Sequence, residues 1–262
     1  MCGIAGYSLV SGTTVDRTVA ARALLAGIAE RGADAAGFAY RSERAVTLHK
    51  QRSGASALLE HIFVPADATQ LLVHVRDFTK GHPSLTANNH PIRHGAVVGV
   101  HNGVIVNDDA LFSALQIERA EPEMTVDSEI IFALAEQFRG RTGRALQKLV
   151  GSMATAWLDE GRSELLVARG MGRPLWIGTT EGAFFFASTR HALELVEQYC
   201  SSRLRKRELA IGRVLAVLDG KIVGRAGFRP DLTFVEEDEL PPVRAPHERE
   251  ATLARLAALY AA

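Results

Sequence analysis

Short apolar runs arrive in clusters along this chain, and that grouping limits the fold more than any other feature. "MATAWLD", "ELLVARG", "PLWIG" and "AFFFAS" follow one another with only turns between them. Nearer the start, "GIAGYSLVS", the pair "GFAYR" and "AVTLHKQ", and "QLLVHVRD" have the same strand character. In the last of these, Leu72, His74 and Arg76 alternate with Leu71, Val73 and Val75, the period that sends successive side chains to opposite faces. "GAVVGVHNGVIVN" predicts a hairpin turning at Asn102-Gly103, a dipeptide suited to a type I′ turn, and "RVLAVLD" with "KIVGRA" predicts another at Asp219-Gly220. Helical spacing fills the intervals. Val19, Ala23, Leu24 and Ile28 mark a helix over 16–30, with Gly32 at its C-terminal cap position. Further helices are predicted over "ASALLEHIF" and over about 108–116, 127–139, 141–150 and 190–199. Strands and helices do not alternate strictly, which argues against a doubly wound parallel sheet. The expected class is α+β, with two antiparallel sheets covered by helices.

The chain has 262 residues and equal counts of basic and acidic side chains, 30 of each, so no basic excess points to nucleic acid. No apolar run has membrane-spanning length, and the N-terminus lacks the basic and apolar regions of a secretory signal. Cytoplasm is the expected compartment. Residues 1–230 read as one catalytic unit. Beyond them, 231–262 read as an acidic, proline-containing linker, "EEDELPPVRAPHERE", and an amphipathic helix, "EATLARLAALYAA". His82, His90, His94 and His101 lie in one region, but no zinc-site spacing, P-loop or dinucleotide fingerprint is present, so no metal or cofactor is expected.

Two cysteines, Cys2 and Cys200, imply no disulfide framework. Cys200 follows the helical run "LELVEQY" and reads as a thiol without a task. Cys2 is different. Its small side chain permits removal of Met1, which makes Cys2 the amino terminus. A thiol needs a base before it becomes a good nucleophile, and a free α-amine titrates near pH 8. Nucleophile and base then share one residue. On position alone, a small residue in the first strand is an equally good reading.

The set of motifs decides between them. "MCGIAGY", "RGADAAG" at 31–37, "HVRDFTKGHPSLTANNHPI" and "VVGVHNGVIVN" occur in that order. Together they resemble the class II, N-terminal-nucleophile (Ntn) glutamine amidotransferase domain over about residues 2–230. That domain occurs in glucosamine-6-phosphate synthase, glutamine phosphoribosylpyrophosphate amidotransferase, asparagine synthetase and glutamate synthase. The resemblance implies a four-layer αββα sandwich and L-glutamine as substrate. It implies Cys2 as nucleophile, with the Asn102 side chain and the Gly103 N–H as donors to the oxyanion. It also implies Arg76 on the substrate α-carboxylate and Asp127, in "TVDSEII", on the α-ammonium. Arg31 and Gly32 would shape the pocket wall, and Thr79 and Gly81 would make backbone contacts. Val75, Asp77, Phe78 and Lys80 depart from the usual "H-T-R-W-A-T-H-G" run.

No synthase domain is recognisable in the chain. The expected partner is therefore an ammonia-accepting synthase in trans. The alternatives are a free-standing amidohydrolase acting on a larger γ-glutamyl conjugate, or a non-catalytic regulatory subunit. An intact mass of the native protein should equal that of the chain without Met1; a retained methionine would remove the base that this reading requires.

Overall fold

The computed structural model describes residues 2–236 and 241–261. Met1, residues 237–240 of the acidic stretch and Ala262 lie outside the described residues. Among the described residues, one sheet contains β1 (Gly3–Leu9), β2 (Ala35–Ser42), β3 (Ala45–Gln51), β4 (Gln70–Arg76), β9 (Trp176–Thr180), β10 (Ala183–Ala187) and β11 (Arg205–Glu208). The other contains β5 (Ile92–His94), β6 (Val97–Ile105), β7 (Gly151–Asp159), β8 (Leu165–Arg169), β12 (Arg213–Leu218) and β13 (Lys221–Gly227). The spatial orders are β11-β9-β10-β1-β4-β2-β3 and β13-β12-β8-β7-β6-β5. The paired strands run antiparallel throughout.

Three apolar clusters separate four layers. Ile4, Leu72, Val98, Val100, Ala156 and Phe186 belong to the core between the sheets. Tyr7, Leu71, Val73 and Phe185, on the opposite face of the first sheet, pack with α1 (Arg17–Ile28), α2 (Ala55–Leu58), α6 (Arg190–Tyr199) and α7 (Pro246–Leu259). Val97, Ile105 and Trp157 pack with α3 (Asp108–Leu115), α4 (Glu129–Gln137) and α5 (Thr142–Leu146). This is the αββα sandwich that the resemblance implies. Burial on both faces explains why β1 and β10 read as nearly continuous apolar runs rather than as alternating ones.

Two of the helices start at side-chain caps. Asp16 accepts the Val19 N–H at 2.8 Å at the head of α1, and Thr189 accepts the Ala192 N–H at 3.2 Å at the head of α6. The Thr189 hydroxyl also donates to the Gly27 carbonyl at 2.7 Å, tying the two helices together. On α7, the Glu248 carboxylate accepts from the Ser56 N–H at 2.8 Å and its hydroxyl at 3.1 Å.

Two sequence expectations are corrected. Asn102-Gly103 does not turn. β6 runs straight through it, paired with β7 from Val97↔Asp159 to Ile105↔Gly151, so sheet pairing overrides the local turn preference. Gly103 has φ 146°, and a Cβ there would stand 1.9 Å from the Ser152 carbonyl oxygen. Gly32 is not a left-handed cap either: α1 ends at Ile28, a 3-10 turn spans Ala29–Arg31, and Gly32 is extended at φ −177°. A Cβ on Gly32 would lie 2.3 Å from the Arg76 carbonyl, so glycine lets this turn press onto the end of β4. The second hairpin does turn, with Asp219 at φ 48° and Gly220 at φ 71°. β5 and β11 were not anticipated.

α1 and α6 touch backbone to backbone: a Cβ on Gly27 would stand 2.2 Å from Ala192 Cα. Gly27→Val should therefore destabilise the fold by about 3 kcal/mol through overpacking. Thermal unfolding should show Tm lowered by roughly 6–12 °C for a chain of this size; a Tm unchanged from wild type would contradict this packing.

Candidate active site

β1 carries Cys2 to the end of the first sheet. Gly3 pairs with Val75 and Ile4 with His74, so Cys2 emerges beside Arg76, the last residue of β4. The Cys2 thiol donates to the Asp77 carbonyl at 3.4 Å, and the Arg31 Nε donates to the Cys2 carbonyl at 3.4 Å. Burial pushes the thiol pKa up and the Asp77 carboxylate acts in the same direction, while the charge of Arg76 works the other way. The thiol is thus a poor nucleophile until something takes its proton.

The two-residue period of β4 turns Leu72, His74 and Arg76 toward the space between the sheets. Arg76 is 2 % exposed. Its Nη1 donates to Asn89 Oδ1 at 2.6 Å, and its Nη2 donates to the carbonyls of Lys80, at 2.9 Å, and Gly81. The guanidinium thereby folds the 77–81 loop around itself. Gly81, at φ +78°, has the Asn88 side chain and the Val126 N–H against it, whereas Thr79 is exposed on the loop surface.

β6 packs across the sandwich from β1 and β4. Its inner face carries Val98, Val100 and Asn102. Asn102 is fully buried, and neither Nδ2 nor Oδ1 has a hydrogen-bond partner among the described residues. A buried amide with donor and acceptor both unmatched costs a few kcal/mol, so its presence there needs a reason. Beside it, the His101 ring bridges Ser128 Oγ at 2.8 Å and the Ser152 carbonyl at 3.3 Å. A carbonyl only accepts, so Nε2 carries the proton and Nδ1 accepts from Ser128. Burial lowers His101 and His74 to about 3, so both rings are neutral.

Asp127 precedes α4. Its Oδ2 accepts the Ile105 N–H at 2.7 Å, which pins it to the end of β6, and its charge acts on Arg76. Burial raises its pKa from 3.8 to about 6, against the Ile105 hydrogen bond. Asn88 Oδ1 holds the approach to Asp127 by accepting the Thr125 and Val126 N–H groups at 2.8 and 3.1 Å. Cys2, Arg31, Gly32, Arg76 and Gly81 thus meet at one sheet end, and Asn102, Gly103 and Asp127 occupy the facing β6–α4 region. Thr79 has no hydrogen-bond partner among the described residues.

Sequence reasoning missed the supports. Asn88 and Asn89 stood in the quoted "NNHP" run, but nothing in a single sequence distinguishes a structural asparagine from a loop one. Lys80, at a place where the motif usually has histidine, bonds Asp108 at 2.6 and 2.8 Å and Asp109 at 2.8 Å, and Arg119 bonds both carboxylates from the other side. A surface concavity between α5 and the β8–β12–β13 face includes none of these residues.

Residues 76–195 match the model of a glutamine amidotransferase domain. The chain is 32% identical over 251 residues, 88% of its length, to an isomerizing glutamine–fructose-6-phosphate aminotransferase of Listeria monocytogenes. It is 31% identical over 203 residues, 74% of its length, to the corresponding enzyme of Thermus thermophilus. It spans 39% and 32% of those two relatives. A glutamine phosphoribosylpyrophosphate amidotransferase from B. subtilis has the same fold, with TM-score 0.67 at 21% identity over 87% of this chain and 49% of that one. The sandwich and its motifs are those of an Ntn-type amidotransferase. The chain belongs to the class II glutamine amidotransferase domain family.

A carboxyl whose folded pKa is raised binds its proton more tightly in the fold than in the unfolded chain. Its stabilising contribution is present below pH 3.8 and is lost as pH rises through about 6. The ionised carboxylate then costs roughly 3 kcal/mol. Asp127→Asn retains an acceptor for Ile105 without that charge. Thermal melts across pH 4 to 7.5 should show its Tm advantage over wild type growing to a plateau above about pH 6; a pH-independent difference would place the carboxylate in a more polar setting.

Proposed function

We propose that the protein hydrolyses the side-chain amide of L-glutamine on Cys2 and passes the ammonia to a synthase partner in trans. The observation that carries this reading is the meeting of Cys2 with Arg76 at one sheet end, opposite a buried Asn102 whose amide has no hydrogen-bond partner among the described residues. With Met1 removed, the α-amine of Cys2 takes the thiol proton. Sγ attacks the side-chain amide carbon, Cδ, of glutamine and the carbonyl electrons move to oxygen. Asn102 Nδ2 and the Gly103 N–H stabilise that oxyanion. The C–N bond breaks, and ammonia leaves with the proton returned by the α-amine. Water, deprotonated by the same amine, cleaves the thioester and releases glutamate with the thiol restored.

Arg76 binds the α-carboxylate through guanidinium N–H groups that the loop carbonyls and Asn89 leave unused. Asp127 binds the α-ammonium once ionised. Substrate then supplies the positive partner that the buried carboxylate lacks, so the KM for glutamine should rise as pH falls through about 6. Residues 1–230 form the catalytic unit of this reading, and the cytoplasm is its setting. No described helix is long and apolar enough to cross a membrane.

Purified protein should release glutamate and ammonia from L-glutamine, and Cys2→Ala should abolish this. Asn102→Ala should lower kcat by about two to three decades with a much smaller change in KM, because its contact forms at the tetrahedral stage. Steady-state kinetics of the three proteins checks this. Turnover by Cys2→Ala would overturn the reading, and a strong preference for a larger γ-glutamyl conjugate would replace the synthase-coupled function with a free-standing hydrolase.

A further inference from the structure

We propose that Arg244, just ahead of α7, is a positioning residue for Cys2, acting through Asp77. The proposal rests on Cys2 being the nucleophile. Asp77 does two things at once. Its backbone carbonyl accepts the Cys2 thiol at 3.4 Å, and its carboxylate accepts the Arg244 Nε at 2.9 Å. The orientation of the thiol therefore depends on a peptide group whose own side chain is held by the C-terminal segment. Asp34 steadies the same turn by accepting the Phe78 N–H at 2.9 Å.

The same segment grips the other flank of Cys2. The Arg244 and Ala245 N–H groups both donate to the Glu30 carbonyl, at 2.8 and 2.9 Å, and Arg249 pairs with the Glu30 carboxylate at 2.9 Å. Glu30 adjoins Arg31, whose Nε holds the Cys2 carbonyl. Residues 30–31 and 77–78 thus reach Cys2 from two sides, and residues 244–249 clasp both. Ala245 is buried at the centre of this clasp.

Charge adds to geometry. The Asp77 carboxylate opposes ionisation of the neighbouring thiol. Arg244 sets a cation against that carboxylate, at a place where the family motif usually has an uncharged tryptophan. Aspartate at 77 and arginine at 244 therefore work as a pair. Exposed ion pairs contribute little to stability in general; the value of this one lies in where the Asp77 peptide points.

The test compares Arg244→Ala, Arg244→Lys, Asp77→Asn, the double variant Arg244→Ala/Asp77→Asn, and Arg255→Ala. Arg255 lies on α7, the helix that follows Arg244, but pairs with Glu60, away from Cys2. Two readouts are used: kcat and KM for glutamine, and the pH profile of Cys2 alkylation by iodoacetamide, followed by mass spectrometry so that Cys200 is counted separately. Arg244→Ala should lower kcat about tenfold, a modest share of what misplacing a reacting group costs. KM should stay within about twofold, and the alkylation midpoint should move to higher pH. Arg244→Lys should restore most of both. The double variant should return the midpoint to that of wild type or below, because the unbalanced carboxylate is gone. Arg255→Ala should match wild type. Wild-type kcat and midpoint in Arg244→Ala would overturn the proposal, as would an equal loss in Arg255→Ala, which would reduce the effect to helix docking. A wild-type protein inactive on glutamine would sink the glutaminase reading, and the alkylation profiles would then decide the positioning role by themselves.

Discussion

The pairing of β1 with β4 is the constraint on which the site depends. Gly3↔Val75 and Ile4↔His74 set the register, and a slip of one residue would send every β1 side chain to the opposite layer. Ile4 would leave the core between the sheets, and Cys2 would lose its place beside Arg76. The register is secured on both sides, since β10 pairs with β1 from Ala5↔Ala187 to Leu9↔Ala183. A residue next to a chain end would ordinarily fray. Here it is fixed because the strand behind it lies deep within its sheet, and because Gly3 packs tightly against Val75, Ile28 and Arg31.

Buried polarity gives the site its character. Arg76, Asp127, Asn102, His74 and His101 are all nearly or wholly sealed from solvent. Low polarity keeps the imidazoles neutral and raises the Asp127 carboxyl toward neutrality. It also makes each remaining dipole count for more than it would in water. Arg76 is tolerated because carbonyl oxygens of its own loop and Asn89 surround it. The same contacts make it both a structural hub and the binding group proposed for substrate.

Much of this was legible in the chain itself. The alternation in "QLLVHVRD" already separates Leu72, His74 and Arg76 from Leu71, Val73 and Val75, and the structure assigns the first set to the sheet interior. The order of strands and helices was enough for the layered class. "HNG" misled because the turn preference of Asn-Gly is a local property, while β6 is held by long-range pairing with β7. Gly103 is small for the sake of Ser152, a residue far along the chain. β11 was missed because "RKRE" looks like solvated coil and is a strand only through its pairing with β9. The 77–244 pairing was invisible for the same reason: its members are far apart in sequence, and each alone is an ordinary surface charge.

Among the described residues both sheets are open, which leaves four strand edges. Exposed cations stand on two of them, Arg205 and Arg207 on β11 and Lys221 and Arg225 on β13, whereas Arg93 on β5 pairs with Glu160 and Lys50 on β3 donates to the Ala87 carbonyl. A second copy approaching the β11 or β13 edge would have to bring like charges together and strip their water before any backbone bond formed. A chain that is nearly half apolar and built around two wide ladders therefore discourages strand-by-strand self-assembly at those two margins, even though its overall charge is balanced.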